Sequence, residues 1–333
     1  MCEAREQMNI YDIAREAGVS IATVSRVINN KGTVSPATRA KVEEVLSRSD
    51  YTPSAIARGM VSKSMRTVAV LTVDIRVPHY ARQAYTIEQE FSQRGYEVIL
   101  CNTGGGREAT LRYLRAVTEK QVDGIVLVGS VFNSIGRDPE VASYLRLVPV
   151  VLANGKLDLP NAASVLLDDA GGAALATQHL VAMGRRNLWY VQDLDTASAI
   201  AKRDGFLKAA ETLGVRGRVI ETEFSIEGGR KAARELMGSC RLFDGIVCGE
   251  DETAVGVVKG LASAGMRIPR DVAITGYNNS IYTQMCEPRL TSIDNKPELV
   301  GRTCVRLLEH MMDGDEDVEP VIIKPEIVQG LTT

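Results

Sequence analysis

The sequence predicts a small all-α helix-turn-helix head followed by an α/β body of two doubly wound parallel-sheet half-domains. Three observations carry this reading. Residues 9–53 hold short runs with the 3.6-residue apolar period, separated by turn and cap residues. From Thr67 onward, short apolar runs alternate with helical patterns in βαβα order, which argues a parallel sheet with helices on both faces. After Ser164–Asp168 the same succession begins again. The 333 residues allow a head of about 60 and two compact halves, since domains commonly run to roughly 100–200 residues.

In the head, Ile10, Ile13, Ala14 and Ala17 fall at i, i+3, i+4 and i+7, the apolar face of a helix that stops at Gly18, which tolerates a left-handed turn. Ser20 caps a second helix, with Val24, Val27 and Ile28 turned inward and Ile21, Ala22, Ser25, Arg26 and Asn29 turned elsewhere. In such a unit the second helix lies in the major groove, the residues near its N-terminus meeting base edges. Arg26 suits guanine O6 and N7, and Ile21 and Ala22 suit thymine methyls. Ser20, Thr23, Ser25 and Asn29 are short hydrogen-bonding side chains suited to phosphates. A helix meant only for solvent would carry more long Glu and Lys. A third helix begins with Ser35 as N-cap and Pro36 at its first position, packed by Ala40, Val42, Val45 and Leu46. Tyr51-Thr52-Pro53 breaks it, and residues 54–60 are too few for a helix stable on its own.

Charge divides along the same line. Residues 1–66 carry ten Lys+Arg against seven Asp+Glu, and residues 67–333 carry 29 against 35. A basic head on an acidic body confines phosphate attraction to one end. The six cysteines, Cys2, Cys101, Cys240, Cys248, Cys286 and Cys304, show no CxxC spacing and read as buried, reduced thiols of a cytoplasmic protein. No apolar run spans a bilayer, and residues 1–8 are polar, so neither a signal peptide nor a membrane partner is expected. They read as a disordered extension, with Met1 or Met8 as the start.

In the body, strands are expected at 68–73, 96–101, 124–128, 148–153, 188–191, 218–221, 245–248 and 272–277, with helices at 82–94, 109–120, 172–183, 201–213, 228–237 and 253–264 between them. The last stretch, a strand at 291–294, a helix at 297–312 and a strand at 321–324, is expected to return to the first half. The halves are therefore about 67–165 with 291–325, and about 166–290. Ligands of paired open sheets bind beyond the carboxyl ends of the strands, in the cleft between halves.

Three stretches, IYDIAREAGVSIATVSRVIN, VSPATRAKVEEVL and YTPSAIARGM, closely resemble the N-terminal region of the LacI/GalR family of bacterial transcriptional regulators. The resemblance extends over the body, which is similar to that family's effector domain, a periplasmic-binding-protein-like fold of type I. It implies that Ile21, Ala22 and Arg26 read bases, that Tyr11, Ser20, Thr23, Ser25, Asn29 and Thr38 lie near phosphates, and that residues 54–66 are a hinge helix and linker. In the hinge, Ala57 and Met60 would meet DNA, with Met60 wedged into the central minor-groove step. Gly59 departs from the pattern, at up to ~1 kcal/mol in a helix interior. By position, the resemblance places Asp74, Tyr80, Asn154, Lys202, Phe224, Glu250, Asn278 and Asn295 in an effector cleft, with Phe224 where sugar-binding members often place an aromatic. Lys202 stands where arginine is usual, Asn278 where aspartate is, and Glu250 where asparagine is frequent. An Arg fork paired with a carboxylate grips vicinal hydroxyls and Lys does not replace it, so a carbohydrate-related effector other than an ordinary sugar is expected.

Other motifs argue against catalysis and bound metal. Gly104-Gly105-Gly106 has neither phosphate-loop spacing and reads as a turn. His79, His179 and His310 are isolated, with only His79, beside Tyr80, a cleft candidate. Asp168-Asp169 and Glu250-Asp251-Glu252 lack histidine partners, and no nucleophile, base and acid set is present, so no catalytic residue, metal or cofactor is expected. The expected protein is a homodimeric repressor of a palindromic double-stranded DNA operator under control of a small-molecule effector. Without a leucine heptad tail after the last strand, a dimer rather than a tetramer is expected. A ligand-binding protein without DNA function would instead keep every activity when the N-terminal helices are removed, and an enzyme would show turnover.

Overall fold

The computed structural model describes residues 8–28, 32–49, 64–239, 242–315 and 318–333. They fall into two compact units with the boundary between Arg66 and Thr67. Asn29, Ala57, Met60, Cys2, Cys240 and the hinge helix expected over 54–60 lie outside the described residues, and of the linker expected to run to 66, residues 64–66 carry no helix.

The first unit contains α1 (Ile10–Ala17), α2 (Ile21–Ile28) and α3 (Pro36–Arg48). Asn9 caps α1: its side chain accepts from the Tyr11 and Asp12 amides at 2.9 and 3.2 Å, and the Asp12 carboxylate accepts from the Asn9 amide at 3.1 Å. Gly18 ends α1 at φ 66°, where a side chain would be strained. Ile13, Ala14, Ala17, Val24, Val27 and Val42 form the core, with Val45 and Leu46 packed against it. Ala40, expected inside, is exposed, whereas Val42 two residues on is fully buried. Asn9→Ala removes the side-chain half of the capping box and is expected to cost ~0.5–2 kcal/mol. Faster amide exchange across α1 in the full chain, with the body unaffected, is the corresponding observable.

In the second unit, two six-stranded sheets repeat one topology. The first has the order β11-β5-β4-β3-β1-β2, with β1 Thr67–Thr72, β2 Glu97–Asn102, β3 Gly124–Val128, β4 Val150–Ala153, β5 Ala162–Leu167 and β11 Val321–Ile323. The second runs β12-β10-β9-β8-β6-β7, with β6 Asn187–Gln192, β7 Arg216–Glu221, β8 Gly245–Cys248, β9 Ala273–Tyr277, β10 Thr291–Asp294 and β12 Glu326–Val328. All pairs are parallel except β10 with β12. Central strands such as β1, β3 and β8 are continuous apolar runs because helices cover both faces.

One placement differs from expectation. The strand Thr291–Asp294 belongs to the second sheet, pairing with β9 in the register Thr291↔Thr275. The final strand and residues 330–332 follow it, with the Ile274 amide donating to the Thr332 carbonyl at 2.9 Å. Only the helix Pro297–Met312 and β11 rejoin the first half. Thr291 and Ser292 are fully buried, their polar groups satisfied by Thr332 and Asp251. Apolar periodicity does not say which sheet such a strand joins. The chain consequently crosses between halves three times, after β5, after β10 and between β11 and β12.

Candidate functional site

On the head, Tyr11 is 67% and Ile21 40% exposed, and Ala22 and Arg26 are exposed as well. Large apolar side chains at the surface of so small a unit mark a face suited to contact. Ser20 caps α2, its Oγ accepting from the Thr23 amide at 3.2 Å and lying 2.9 Å from the Thr23 hydroxyl. Thr38 is held the same way by Ser35, hydroxyl to hydroxyl at 2.8 Å. These hydroxyls are positioned by the caps and keep lone pairs for a further partner. Ser25 is half-buried between the exposed positions.

In the body, a cleft lies between the halves. Helix α4 (Pro78–Gln93) supplies His79 and Tyr80, and the turn after β4 supplies Asn154. From the second half come Asp193 after β6, Lys202 on α5 (Ala197–Thr212), Glu250 after β8, Asn278 after β9 and Asn295 after β10. Except for Lys202, these residues follow strand carboxyl ends, where the topology leaves a crevice. Asn154 and Asn278 hold φ of 62° and 87°, a left-handed conformation that asparagine tolerates better than most residues. Six of the eight positions expected by resemblance thus come together. Asp74 and Phe224 do not line the cleft: Asp74 is engaged by Arg76, its Oδ2 2.7 Å from the guanidinium, and Phe224 is half-buried before the helix Ile226–Gly238.

A buried ion pair organises the cleft. Lys202, 4% exposed, donates from Nζ to Glu250 Oε1 at 2.9 Å and to the Gly249 carbonyl at 3.0 Å, with its ammonium 4.0 Å from the Tyr277 ring centre. Burial opposes the ammonium, but Glu250 and Asp169 outweigh it and the Lys202 pKa is raised. Glu250 Oε2 accepts from Asn278 Nδ2 at 2.5 Å, and Asn278 Oδ1 accepts from Asn295 Nδ2 at 3.0 Å. Asp193 accepts from the Thr253 hydroxyl, and burial followed by the charge of Glu250 pushes its pKa up to about 7. Asp169 accepts from the Ser198 hydroxyl at 2.6 Å and Asn154 Nδ2 at 3.2 Å.

The Asn154–Asp169 bond joins the halves. So do Arg82 Nη1 donating to the Asn279 carbonyl at 3.1 Å and His79 Nδ1 lying 3.8 Å from Glu250. The enclosed volume is about 30 Å³, room for roughly one or two waters, whereas ligand pockets commonly reach ~300–1,000 Å³. The halves are closed on each other, and a larger ligand enters only when they part.

Residues 9–54 match the description "Bacterial regulatory proteins, lacI family", and residues 177–333 match "Periplasmic binding protein-like domain". Over 98% of its length the chain is 33% identical to an HTH-type transcriptional regulator of Lachnoclostridium phytofermentans, covering 99% of that protein. The chain belongs to the LacI family. Among solved structures, the lac repressor dimer bound to operator and the anti-inducer ONPF superposes with a TM-score of 0.87 at 22% identity, covering 98% of this chain and 99% of that one. A CelR–cellobiose complex gives 0.71 at 27% identity, covering 98% and 100%. This LacI-family protein is accordingly a transcriptional regulator with a helix-turn-helix DNA-binding region and an α/β ligand-binding domain, and not an enzyme.

Several residues of this LacI-family cleft escape pattern reading. Asp193 was open to inference because it follows a strand as the other cleft residues do. Asp169 reads in the sequence only as half of an acidic pair without histidine partners, yet it is 4% exposed. Of the acidic run Glu250-Asp251-Glu252, Glu250 faces the cleft, whereas Asp251 points into the second half and accepts from Ser292 Oγ and the Ser280 amide, both at 2.6 Å. The other histidines lie elsewhere: His179 meets Thr333 and His310 meets Asp315. Among the described residues no His, Cys, Asp and Glu group is arranged to hold a metal ion, and no helix is long and apolar enough to cross a membrane.

Burial pushes Asp251 up to about 7 from an ordinary 3.8, against its hydrogen bonds. A raised folded pKa means that the folded state holds the proton more tightly, so this group's stability contribution is fully present below about 4 and is lost as pH rises through about 7. Asp193 acts in the same direction. His79, pulled down to about 4 by burial, opposes them: its contribution is present above about 6.5 and is lost as pH falls through about 4. Two carboxyls outweigh one imidazole, so these groups make the body more stable near pH 5 than near pH 7. Asp251→Asn can keep both hydrogen bonds and is expected to remove ~1.4 kcal/mol per pH unit from that slope. Urea midpoints across the interval test this, and an unchanged slope would contradict it.

Proposed function

We propose that the chain is a cytoplasmic, homodimeric, sequence-specific repressor whose operator affinity is set by a small molecule held in the cleft. The observation that carries the reading is the exposed face of α2, where Ile21, Ala22 and Arg26 stand free of the head's core on a helix of recognition type. The head spans about 9–53, residues 54–66 join it to the body, and Tyr11, Ser20, Thr23, Ser25, Asn29 and Thr38 serve the phosphates, with Ala57 and Met60 at the minor groove. One head makes too small an interface for tight binding. Two heads on a palindrome gain from effective concentration, and the dimer brings two linkers together.

The CelR–cellobiose complex supports a small-molecule ligand for the body. Asn295, and Lys296 at φ 55°, lie in the crossing between β10 and the next helix, so a cleft ligand touches a segment that must move when the halves part. That is the element through which ligand and DNA would be linked. Selection of duplexes from a random pool by the full chain tests the DNA reading, with light scattering for the assembly. Enrichment of an inverted repeat by a particle of twice the chain mass is expected; absence of enrichment at low salt would refute it.

A further inference from the structure

The cleft's hydrogen bonds run in one direction. Glu250 can only accept, so Asn278 must present Nδ2 to it and turn Oδ1 toward Asn295. Asn295 must then donate from Nδ2, which leaves its own Oδ1 facing away from the relay. The carboxylate thus fixes both amide orientations without appeal to how either amide was assigned. Asn295 is 5% exposed, lines the cleft, and its Oδ1 has no hydrogen-bond partner among the described residues. A buried acceptor left without a donor costs ~1–3 kcal/mol. Every donor nitrogen of the relay already gives at least one hydrogen bond within the protein, Lys202 to Glu250 and Gly249 and each amide to its neighbour, whereas Asn295 Oδ1 receives none among the described residues.

Charge points the same way. Glu250 and Asp193 line the cleft and Asp169 stands behind Asn154 and Ser198, against the ammonium of Lys202; burial and Glu250 hold the Asp193 carboxyl at about 7, so it is partly protonated near neutral pH and a cation beside it would draw off that proton. His79 does not redress this, because burial keeps it neutral at physiological pH. In a low-dielectric crevice this arrangement repels an anion and favours a donor that carries positive charge.

We propose that the cleft ligand is a small polar molecule bearing a protonated amine, whose N–H groups meet Asn295 Oδ1 and the Asp193 carboxylate. This rests on reading the cleft as the effector site. The volume already enclosed suits an ammonium group, and the rest of the molecule enters as the halves part.

Calorimetric titration of the full chain with matched probes tests the class: glucose, glucosamine and glucose 6-phosphate as one set, and glycerol, serinol and glycerol 3-phosphate as another. In at least one set the amine is expected to bind roughly tenfold or more tighter than its hydroxyl counterpart, with the phosphate weakest. Asp193→Asn should cut that preference severalfold, and thermal melting verifies that the variant folds. A neutral or phosphorylated probe binding as tightly as its amine, or silence in both sets, overturns the ligand class. Amine binding unaltered by both Asp193→Asn and Asn295→Ala instead overturns the cleft as the place where it binds.

Discussion

Lys202→Met is expected to destabilise the body by ~3–5 kcal/mol, because it keeps the packing volume and removes the ammonium that compensates Glu250. Both side chains are more than nine-tenths buried, so the bare carboxylate must shed its charge or draw in water. Charge removal on the other side supplies the control. Lys202→Met with Glu250→Gln should recover most of the loss, since a buried pair replaced by neutral groups is often close to neutral in stability. Denaturant titration of the two variants separates this account from simple loss of packing: if the double variant is no more stable than Lys202→Met, the ion pair is not what organises the cleft.

Arg26→Ala is expected to weaken discrimination between the selected duplex and a scrambled one by ~1–3 kcal/mol per head, and up to about twice that across a two-fold site. The side chain is exposed and its stem passes beside Gly32, so its removal leaves the head's core intact. A change confined to specific binding, with affinity for scrambled DNA little altered, marks a base contact. Equal losses on both duplexes would mark a phosphate contact and reassign the residue.

The body's strands were legible wherever both faces are covered, because burial on two sides leaves a run such as Gly124–Val128 or Gly245–Cys248 with hardly a polar residue. Helix starts were legible less sharply. The helix read from Arg82 begins at Pro78, with proline at its first position and no side-chain cap, and the one read from Ala201 begins at Ala197 behind the Thr196 cap. Short elements at loop positions, among them Phe132–Ile135, Pro139–Leu145 and Ile281–Met285, carry too few residues to show a period. Family resemblance located the side chains that line the cleft after strand ends, yet carried with them Asp74, which a neighbouring arginine engages. The relay from Lys202 through Glu250 and Asn278 to Asn295 joins four residues scattered over 94 positions, and no periodicity announces such a chain.

Control of DNA binding from the cleft requires coupling between two separate sites, and one titration reaches it directly: the affinity of the full chain for the selected duplex, measured with and without a saturating concentration of the amine probe that binds most tightly. Effector coupling commonly amounts to ~1–3 kcal/mol, so a change of roughly 5- to 150-fold is predicted, abolished in Asn295→Ala. An affinity that stays the same within error while the probe occupies the cleft would contradict the claim that this chain reads a small molecule in order to hold or release DNA.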